Sequence, residues 1–121
     1  MIALRQDLPD NVIGIVASGE VSANDYETVL APAIESSLKK HRRLRILYQL
    51  GPTFTGFTVG AMWDDMKVGL GHLGAWDKIA VVTDVTWIAG ATRAFGFTIP
   101  CPVKVLSNSE LTQAERWIQA D

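Results

Sequence analysis

LRILYQLGPTFTGF, residues 44–57, is the stretch that decides the fold. The apolar run 44–50 predicts a buried strand, the Gly, Pro and Thr residues at 51–56 predict a loop, and we predict a helix from Phe57. The same order recurs further on, where 78–83 predicts a strand and Thr86 opens a short helix. Ligands of open α/β sheets bind beyond the carboxyl ends of the strands, so these two junctions predict the functional edge.

Strand and helix patterns alternate on both sides of this stretch. Strands are predicted at 2–7, 12–17, 44–50, 78–83 and 102–106, and helices at 22–41 (bent or broken at Pro32), 57–71, 86–95 and from Ser107 onward. The order ββαβαβαβα predicts a single α/β domain over residues 1–121, with a mostly parallel central sheet and an N-terminal antiparallel hairpin. Continuous apolar runs in the strands predict helices on both faces, which would bury Ile46, Leu47, Ile79, Val81, Val82 and Val105.

Composition narrows the class of protein. The chain has 121 residues, 48% of them hydrophobic, and a net charge of -2, which argues against a dedicated nucleic-acid binder. Its single cysteine, Cys101, forms no internal disulfide, as is usual in the cytoplasm. Arg5 and Asp7 interrupt any signal peptide, and Gly and Pro residues make the uncharged run 46–63 a poor membrane span. We therefore predict a cytoplasmic protein with no transmembrane segment.

Several familiar motifs are absent or misplaced. The GxGxxG match at 69–74 follows a predicted helix and precedes a strand, the reverse of a dinucleotide loop, and it suits helix termination. His41 and His72 have no carboxylate or cysteine at metal-ligand spacing. We predict neither a metal nor a cofactor. Asp84 follows a strand end, where a carboxylate can act as an acid, a base or a phosphoacceptor, or can cap the next helix.

Two surface features allow both a structural and a functional interpretation. The run KKHRRLR at 39–45 has a structural interpretation, as cations at a helix C-terminus, and a functional one, as an anion patch for lipid headgroups or a phosphorylated partner. The structural interpretation is favoured because no aromatic residues interleave the charges. Aromatic and sulphur-containing side chains near the two junctions are core anchors or line an apolar ligand pocket. The predicted ligand-binding residues are Phe54, Phe57, Met62 and Trp87.

The whole pattern resembles the SpoIIAA-like family of small bacterial proteins, which share the STAS fold and some likeness to CRAL-TRIO lipid-binding domains. The resemblance covers almost the entire chain. It is carried by Asp25-Tyr26 with Pro32, by 44–48 (LRILY), 61–65 (AMWDD) and 78–82 (KIAVV) with Trp87, and by 114–118 (AERWI).

The resemblance implies a non-enzymatic module. STAS relatives act as phosphorylation-switched partners of a kinase or sigma-factor regulator, and carry Asp-Ser-Ser/Thr-Gly after the third strand. Thr55 stands at the hydroxyl position before Gly56, but Thr53-Phe54 replaces the preceding Asp-Ser. The phenylalanine makes this loop more apolar, which suits a hydrophobic ligand or a membrane-surface role.

We therefore predict a binding module for an apolar or lipid-like ligand or for a partner protein. The alternative is an anti-sigma-factor-antagonist-type regulator with Thr55 as phosphoacceptor, and an enzyme using Asp84 comes third. A homodimer and a peripheral contact with a membrane are both compatible with the sequence, and no nucleic-acid partner is expected.

Overall fold

One five-stranded sheet organises the molecule, as seen in a computed structural model that describes residues 1–61, 73–96 and 99–120. Its strands stand side by side in chain order, with β1 antiparallel to β2 and the remaining pairs parallel. The strands are β1 (Ile2–Arg5), β2 (Val12–Val21), β3 (Leu44–Phe57), β4 (Trp76–Val82) and β5 (Val103–Leu106). The predicted α/β class, parallel sheet and N-terminal hairpin are confirmed.

The first crossover is a single helical run, α1, in three parts: an α-helical turn (Ala23–Asp25), a π-helical turn (Tyr26–Leu30) and an α-helix (Ala31–Leu38). Ser22 opens it with a capping box shared with Asp25. In the π turn the Ala31 N–H donates to the Tyr26 carbonyl, five residues back. This wider turn precedes Pro32, whose ring has no N–H to give a regular helix. The expected break at Pro32 is therefore a local widening of one helix.

Two further helices are α2 (Thr86–Gly96) and α3 (Leu111–Gln119). The helix predicted from Ser107 onward begins with a capping box between Ser107 and Glu110, which opens a short 3-10 turn (Asn108–Glu110) that leads into α3. Helical residues also begin at Val59, but most of the helix predicted over 57–71 lies outside the described residues. No helix in the described ranges is long and apolar enough to cross a membrane.

The helices cover the sheet unequally. Each parallel strand lies on the same side of the strand before it. With right-handed crossovers, this order places the crossover helices on one face of the sheet. Side chains of α1, α2 and the turn at Ala61 accordingly share one buried cluster with β2 and β3, while α3 packs on the opposite face. The first cluster includes Ile15, Val21, Tyr26, Leu30, Ile34, Ile46 and Trp76, and the second Val12, Leu47, Ala80, Val82, Leu106, Ala114 and Ile118.

Both faces of the sheet are therefore covered, as predicted, with burial decreasing toward β5. Of the six predicted core residues, Ile46, Leu47 and Val82 are buried, whereas Ile79, Val81 and Val105 are half-buried. All six lie on the neighbouring strands β3, β4 and β5. The four-residue β5 is an edge strand, so β4 and β5 have fewer neighbours to cover them.

The amino-terminal ends of the parallel strands are clamped to the end of α3. The Arg45 guanidinium donates to the carbonyls of Ile118 (2.9 Å) and Ala120 (2.7 Å), and it contacts the Asp77 carboxylate at 3.0 Å. The Lys78 ammonium donates to the Trp117 carbonyl at 3.0 Å. These cations satisfy carbonyls that a helix C-terminus leaves unpaired. One cation of the basic run, Arg45, therefore has a structural role, at the end of α3 rather than at the end of the helix that precedes the run.

The prediction of a loop at 51–56 and a helix from Phe57 is wrong, because β3 continues to Phe57. Its second half pairs with the end of β2, with Gly19 opposite Phe54 and Val21 opposite Phe57. The pairing is irregular, and positive φ angles at Gly19 (58°) and Gly56 (155°) accommodate the irregularity. Long-range strand pairing thus overrides the local turn signal of Gly, Pro and Thr.

Candidate functional site

The carboxyl edge, defined here as the residues at and just beyond the carboxyl ends of the parallel strands, holds most of the predicted site residues. It comprises the second half of β3, the segment 83–87 after β4, and the segment 107–108 after β5. Beyond Gln49, β3 has no described pairing with β4 and continues with β2 as a two-stranded ribbon. The predicted junctions therefore meet at one edge, but the first is a strand ribbon rather than a loop.

Phe54 and Phe57 form an aromatic pair on this ribbon. Their ring centroids are 5.0 Å apart and the rings are tilted by 60°. Residues three apart on a regular strand point to opposite faces, but the β3 segment between the partners of Gly19 and Glu20 contains one extra residue. This bulge accounts for both rings lying together, half-buried against the crossover-side cluster.

Trp87 lies in the first turn of α2 and leaves 58% of its surface exposed. Its neighbour Ile88 is buried in the same cluster that Phe54 and Phe57 contact. Val59, just after the ribbon, is 86% exposed. Two large apolar side chains of the carboxyl edge are therefore exposed to solvent, and the aromatic pair on the ribbon is half-buried. Met62, the fourth predicted ligand residue, lies outside the described residues.

A polar network crosses the same edge and is centred on Asn108. Its side-chain amide donates to the Leu50 carbonyl (2.9 Å) and to the Asp84 carboxylate (3.0 Å), and its backbone N–H donates to the other Asp84 oxygen (3.0 Å). The Gln49 side chain completes the network by donating to the Asn108 side-chain carbonyl at 3.0 Å. Asn108 therefore joins the ends of β3, β4 and β5.

This network gives Asp84 a structural role. From the sequence, Asp84 was a candidate acid, base or phosphoacceptor, or a cap of the next helix. Both carboxylate oxygens accept hydrogen bonds from Asn108, whereas the Thr83 hydroxyl accepts from the Val85 N–H at 3.0 Å in the turn that leads into α2. Sequence reasoning missed Asn108, and its place two residues after the last strand was the available signal.

Thr55 lies exposed on the outer part of the ribbon. It stands within β3 rather than at a helix start. The hydroxyl at the start of the following helix belongs to Thr58, which accepts a hydrogen bond from the Ala61 N–H at 3.1 Å. Sequence reasoning missed this cap because it started the helix at Phe57, two residues too early.

Other candidate groups lie apart from this edge. Cys101 is half-buried before β5, and burial raises the pKa of its thiol, which lowers the thiolate fraction at neutral pH. No three His, Cys, Asp or Glu side chains are placed to hold a metal ion within residues 1–61, 73–96 and 99–120. Of the GxGxxG match, only Leu73 and Gly74 are described, and they form a 3-10 turn with Ala75 before β4.

Comparison with known proteins identifies the family. The family model described as SpoIIAA-like matches residues 12–119. No curated protein matches the sequence. A solved structure of an uncharacterized protein from the DUF3478 family, with a SpoIIAA-like fold and from Shewanella loihica PV-4, is similar, with a TM-score of 0.74. It is 24% identical, over 98% of this chain and 92% of that chain, and this likeness shows the fold. The chain belongs to the SpoIIAA-like family.

Proposed function

We propose that this protein is a non-enzymatic binding module that receives an apolar, lipid-like ligand at its carboxyl edge. The observation that carries the proposal is the exposure of Trp87 and Val59 on the same edge of the sheet as the half-buried Phe54–Phe57 pair. Grouped apolar side chains on a surface with a polar border are typical of ligand and partner sites. The proposed ligand contacts are Phe54, Phe57, Met62 and Trp87.

The polar network supports a binding role over a catalytic one. A general acid or base needs a carboxylate that is free to reach its substrate. Asp84 instead uses both oxygens to hold Asn108. At this edge its carboxylate contributes rigidity and a polar border.

Ligand binding can be measured with a fluorescent fatty-acid probe and by native mass spectrometry of protein purified from its own host. We expect Trp87→Ala to weaken probe binding at least about fivefold, because the ligand would cover apolar surface that the folded protein leaves exposed. Leu4→Ala is the control, since Leu4 is also an exposed apolar residue but lies on β1, near the opposite end of the sheet. Equal affinities for the wild-type protein and Trp87→Ala would contradict the proposal.

A phosphorylation switch at Thr55 is the second candidate, and the exposure of that hydroxyl on the ribbon favours it. Against it, the hydroxyl is separated by three residues from the first helical residue, Val59, so helix amides are less directly available to a phosphate. Incubation with host lysate and ATP, followed by a phosphate-sensitive gel and mass spectrometry, compares wild type with Thr55→Ala. Thr53→Ala is the control, an exposed threonine on the same strand.

We expect no phosphate that depends on Thr55. A stoichiometric phosphate lost in Thr55→Ala and kept in Thr53→Ala would instead establish the regulator and displace the lipid-like ligand as the leading function. A regulatory partner protein would then be the expected binder of the carboxyl edge.

A further inference from the structure

The described lysines and arginines of this protein are gathered at one end. The chain has 11 lysines and arginines. Apart from Lys67, which lies outside the described residues, they occupy the amino half of the sheet or the helix ends beside it. We call this end the amino edge. It is formed by the segment 39–43, the first residues of β3, β4 and β5, and the last turns of α2 and α3. Its exposed cations are Lys39, Lys40, Arg42, Arg43, Arg93, Lys104 and Arg116.

Acidic side chains at the amino edge are mostly engaged with cations. Asp77 contacts Arg43 and Arg45, and Arg5 contacts both Asp7 and Glu115. The remaining acidic residues on this half of the described chain are Asp10 and Glu35. The opposite, carboxyl edge carries Glu20, Asp25, Glu27, Asp84 and Glu110. The described residues therefore divide into a basic end and an acidic end, although the net charge of the chain is only -2.

The exposed cations at 39–42 are not needed to close a helix. Backbone amides of Lys40 and His41 donate to the Ser37 carbonyl at 3.1 and 2.9 Å, which ends α1 without help from side chains. The end of α3 is satisfied by Arg45 and Lys78. The side chains of Lys39, Lys40 and Arg42 are exposed, and their charges are not needed to close α1 or α3.

We propose that the amino edge is a docking surface for an anionic phospholipid bilayer. Its cations come from the 39–43 segment, two helix ends and a strand two places away from β3, about 10 Å across the sheet. Such a spread matches a plane of many anionic headgroups rather than one phosphoryl group, which would need converging donors. No aromatic residue interleaves the run 39–45, as base stacking on single-stranded nucleic acid would require. The acidic carboxyl edge would point away from the membrane.

Vesicle co-sedimentation at low salt tests the proposal. Neutral phosphatidylcholine vesicles are compared with vesicles that contain about 30% phosphatidylglycerol. We expect binding to the anionic vesicles only, lost at high salt because the charges are exposed. Lys40→Gln/Arg42→Gln should weaken binding about 25-fold, at about fivefold for each cation removed.

The matched control is Thr53→Glu/Thr86→Glu. It lowers the net charge by the same two units, but at exposed positions on the carboxyl edge, at the opposite end of the parallel strands. Retained binding in this control would support a local surface, and an equal loss in both variants would overturn it. The proposal would also be overturned by equal binding to neutral vesicles, by equally tight binding to a single-stranded DNA oligonucleotide, or by displacement with soluble glycerol phosphate.

This inference stands independently of the apolar ligand. Trp87→Ala should keep its vesicle binding, because Trp87 lies at the opposite edge. Lys40→Gln/Arg42→Gln should keep its fatty-acid affinity for the same reason. Either property can therefore fail alone.

Discussion

Val82 and Val59 are the same side chain in opposite environments. Val82 is fully buried under α3, whereas Val59 is 86% exposed at the carboxyl edge. We expect Val82→Ala to lower the free energy of unfolding by about 2 kcal/mol, through lost burial and the cavity that remains. Val59→Ala should change it by less than about 0.5 kcal/mol. Urea unfolding monitored by circular dichroism measures the free energy of unfolding of both variants. Similar losses in the two would show that Val59 is covered in solution.

Asn108 holds three strand ends through one side chain. Asn108→Ala removes the donors to Leu50 and Asp84 and the acceptor for Gln49, so we expect a loss of about 1–3 kcal/mol in the free energy of unfolding. Asn24→Ala is the control, because the Asn24 contact described here is made by its backbone carbonyl. Chemical denaturation of the two variants side by side gives the comparison. A loss for Asn108→Ala no larger than the control would remove the network as a stabilising element.

Single residues were predictable where their partner is close in sequence. Ser22 with Asp25, and Ser107 with Glu110, form capping boxes that span three residues, and both are present. Asn108 and Asp84 meet across 24 residues, and only the pairing of β4 with β5 brings them together. The sequence pattern therefore suggested Asp84 as a chemical group and passed over its partner.

Both capping boxes make the helices sensitive to acid. Backbone hydrogen bonds from Ser22 and Ser107 lower the pKa of Asp25 and of Glu110, respectively. A carboxylate whose pKa is lower in the folded than in the unfolded state stabilises the fold above its ordinary pKa of about 4, and this contribution is lost as pH falls below it. We expect Asp25→Asn/Glu110→Gln to be less stable at neutral pH and to show a shallower decline between about pH 5 and about pH 3. Thermal unfolding across this range measures it, and parallel curves for variant and wild type would contradict it.

The end of α3 depends on a particular lysine. Lys78 donates to the Trp117 carbonyl and lies 5.0 Å from the Trp117 ring, whereas Lys104 lies 5.7 Å from that ring on the neighbouring strand. We expect Lys78→Met to cost about 1–2 kcal/mol, because it removes a charged donor to the carbonyls at the end of α3. Lys104→Met should cost less than about 1 kcal/mol, the range of an exposed cation–π contact. Denaturant midpoints rank the two, and the reverse order would show that the ring contact dominates.

At the level of elements, the sequence predicted where the strands lie better than it predicted where they end. The apolar run 44–50 correctly predicted the first half of β3. Its second half carries Gly51, Pro52 and Gly56, residues typical of turns. Their extended conformation depends on β2, which lies more than thirty residues earlier and supplies the pairing partners. Local propensity contains no information about that partner, so the ribbon was predicted as a loop.

Unfolding should be a single transition for the whole molecule, because both buried clusters are built on the same strands. Trp76 belongs to the crossover-side cluster, and Trp117 packs against the other. In Trp76→Phe, and likewise in Trp117→Phe, we expect the fluorescence and the circular dichroism to change at the same denaturant concentration. Separate midpoints within one variant would show that the α3 layer unfolds on its own.

For the molecule as a whole, the order of elements predicted the class, the hairpin and the parallel sheet. The place of the candidate site followed from the same order, since parallel strands bring their carboxyl ends to one edge. Which side chains face solvent there did not follow, because exposure of Trp87 depends on how the first turn of α2 sits over the sheet. A pattern of apolar residues reads the same whether they line a core or a surface.

The sequential strand order has a consequence for synthesis on the ribosome. Strands β1 to β5 lie in the sheet in the order in which they are translated. Each new strand can therefore join the open side of the strand made just before it, and no later segment must be inserted between strands already paired. Until translation ends, that growing side is open to other nascent chains. The last strand closes it with four residues preceded by Pro100 and Pro102 and interrupted by Lys104, features that discourage further pairing.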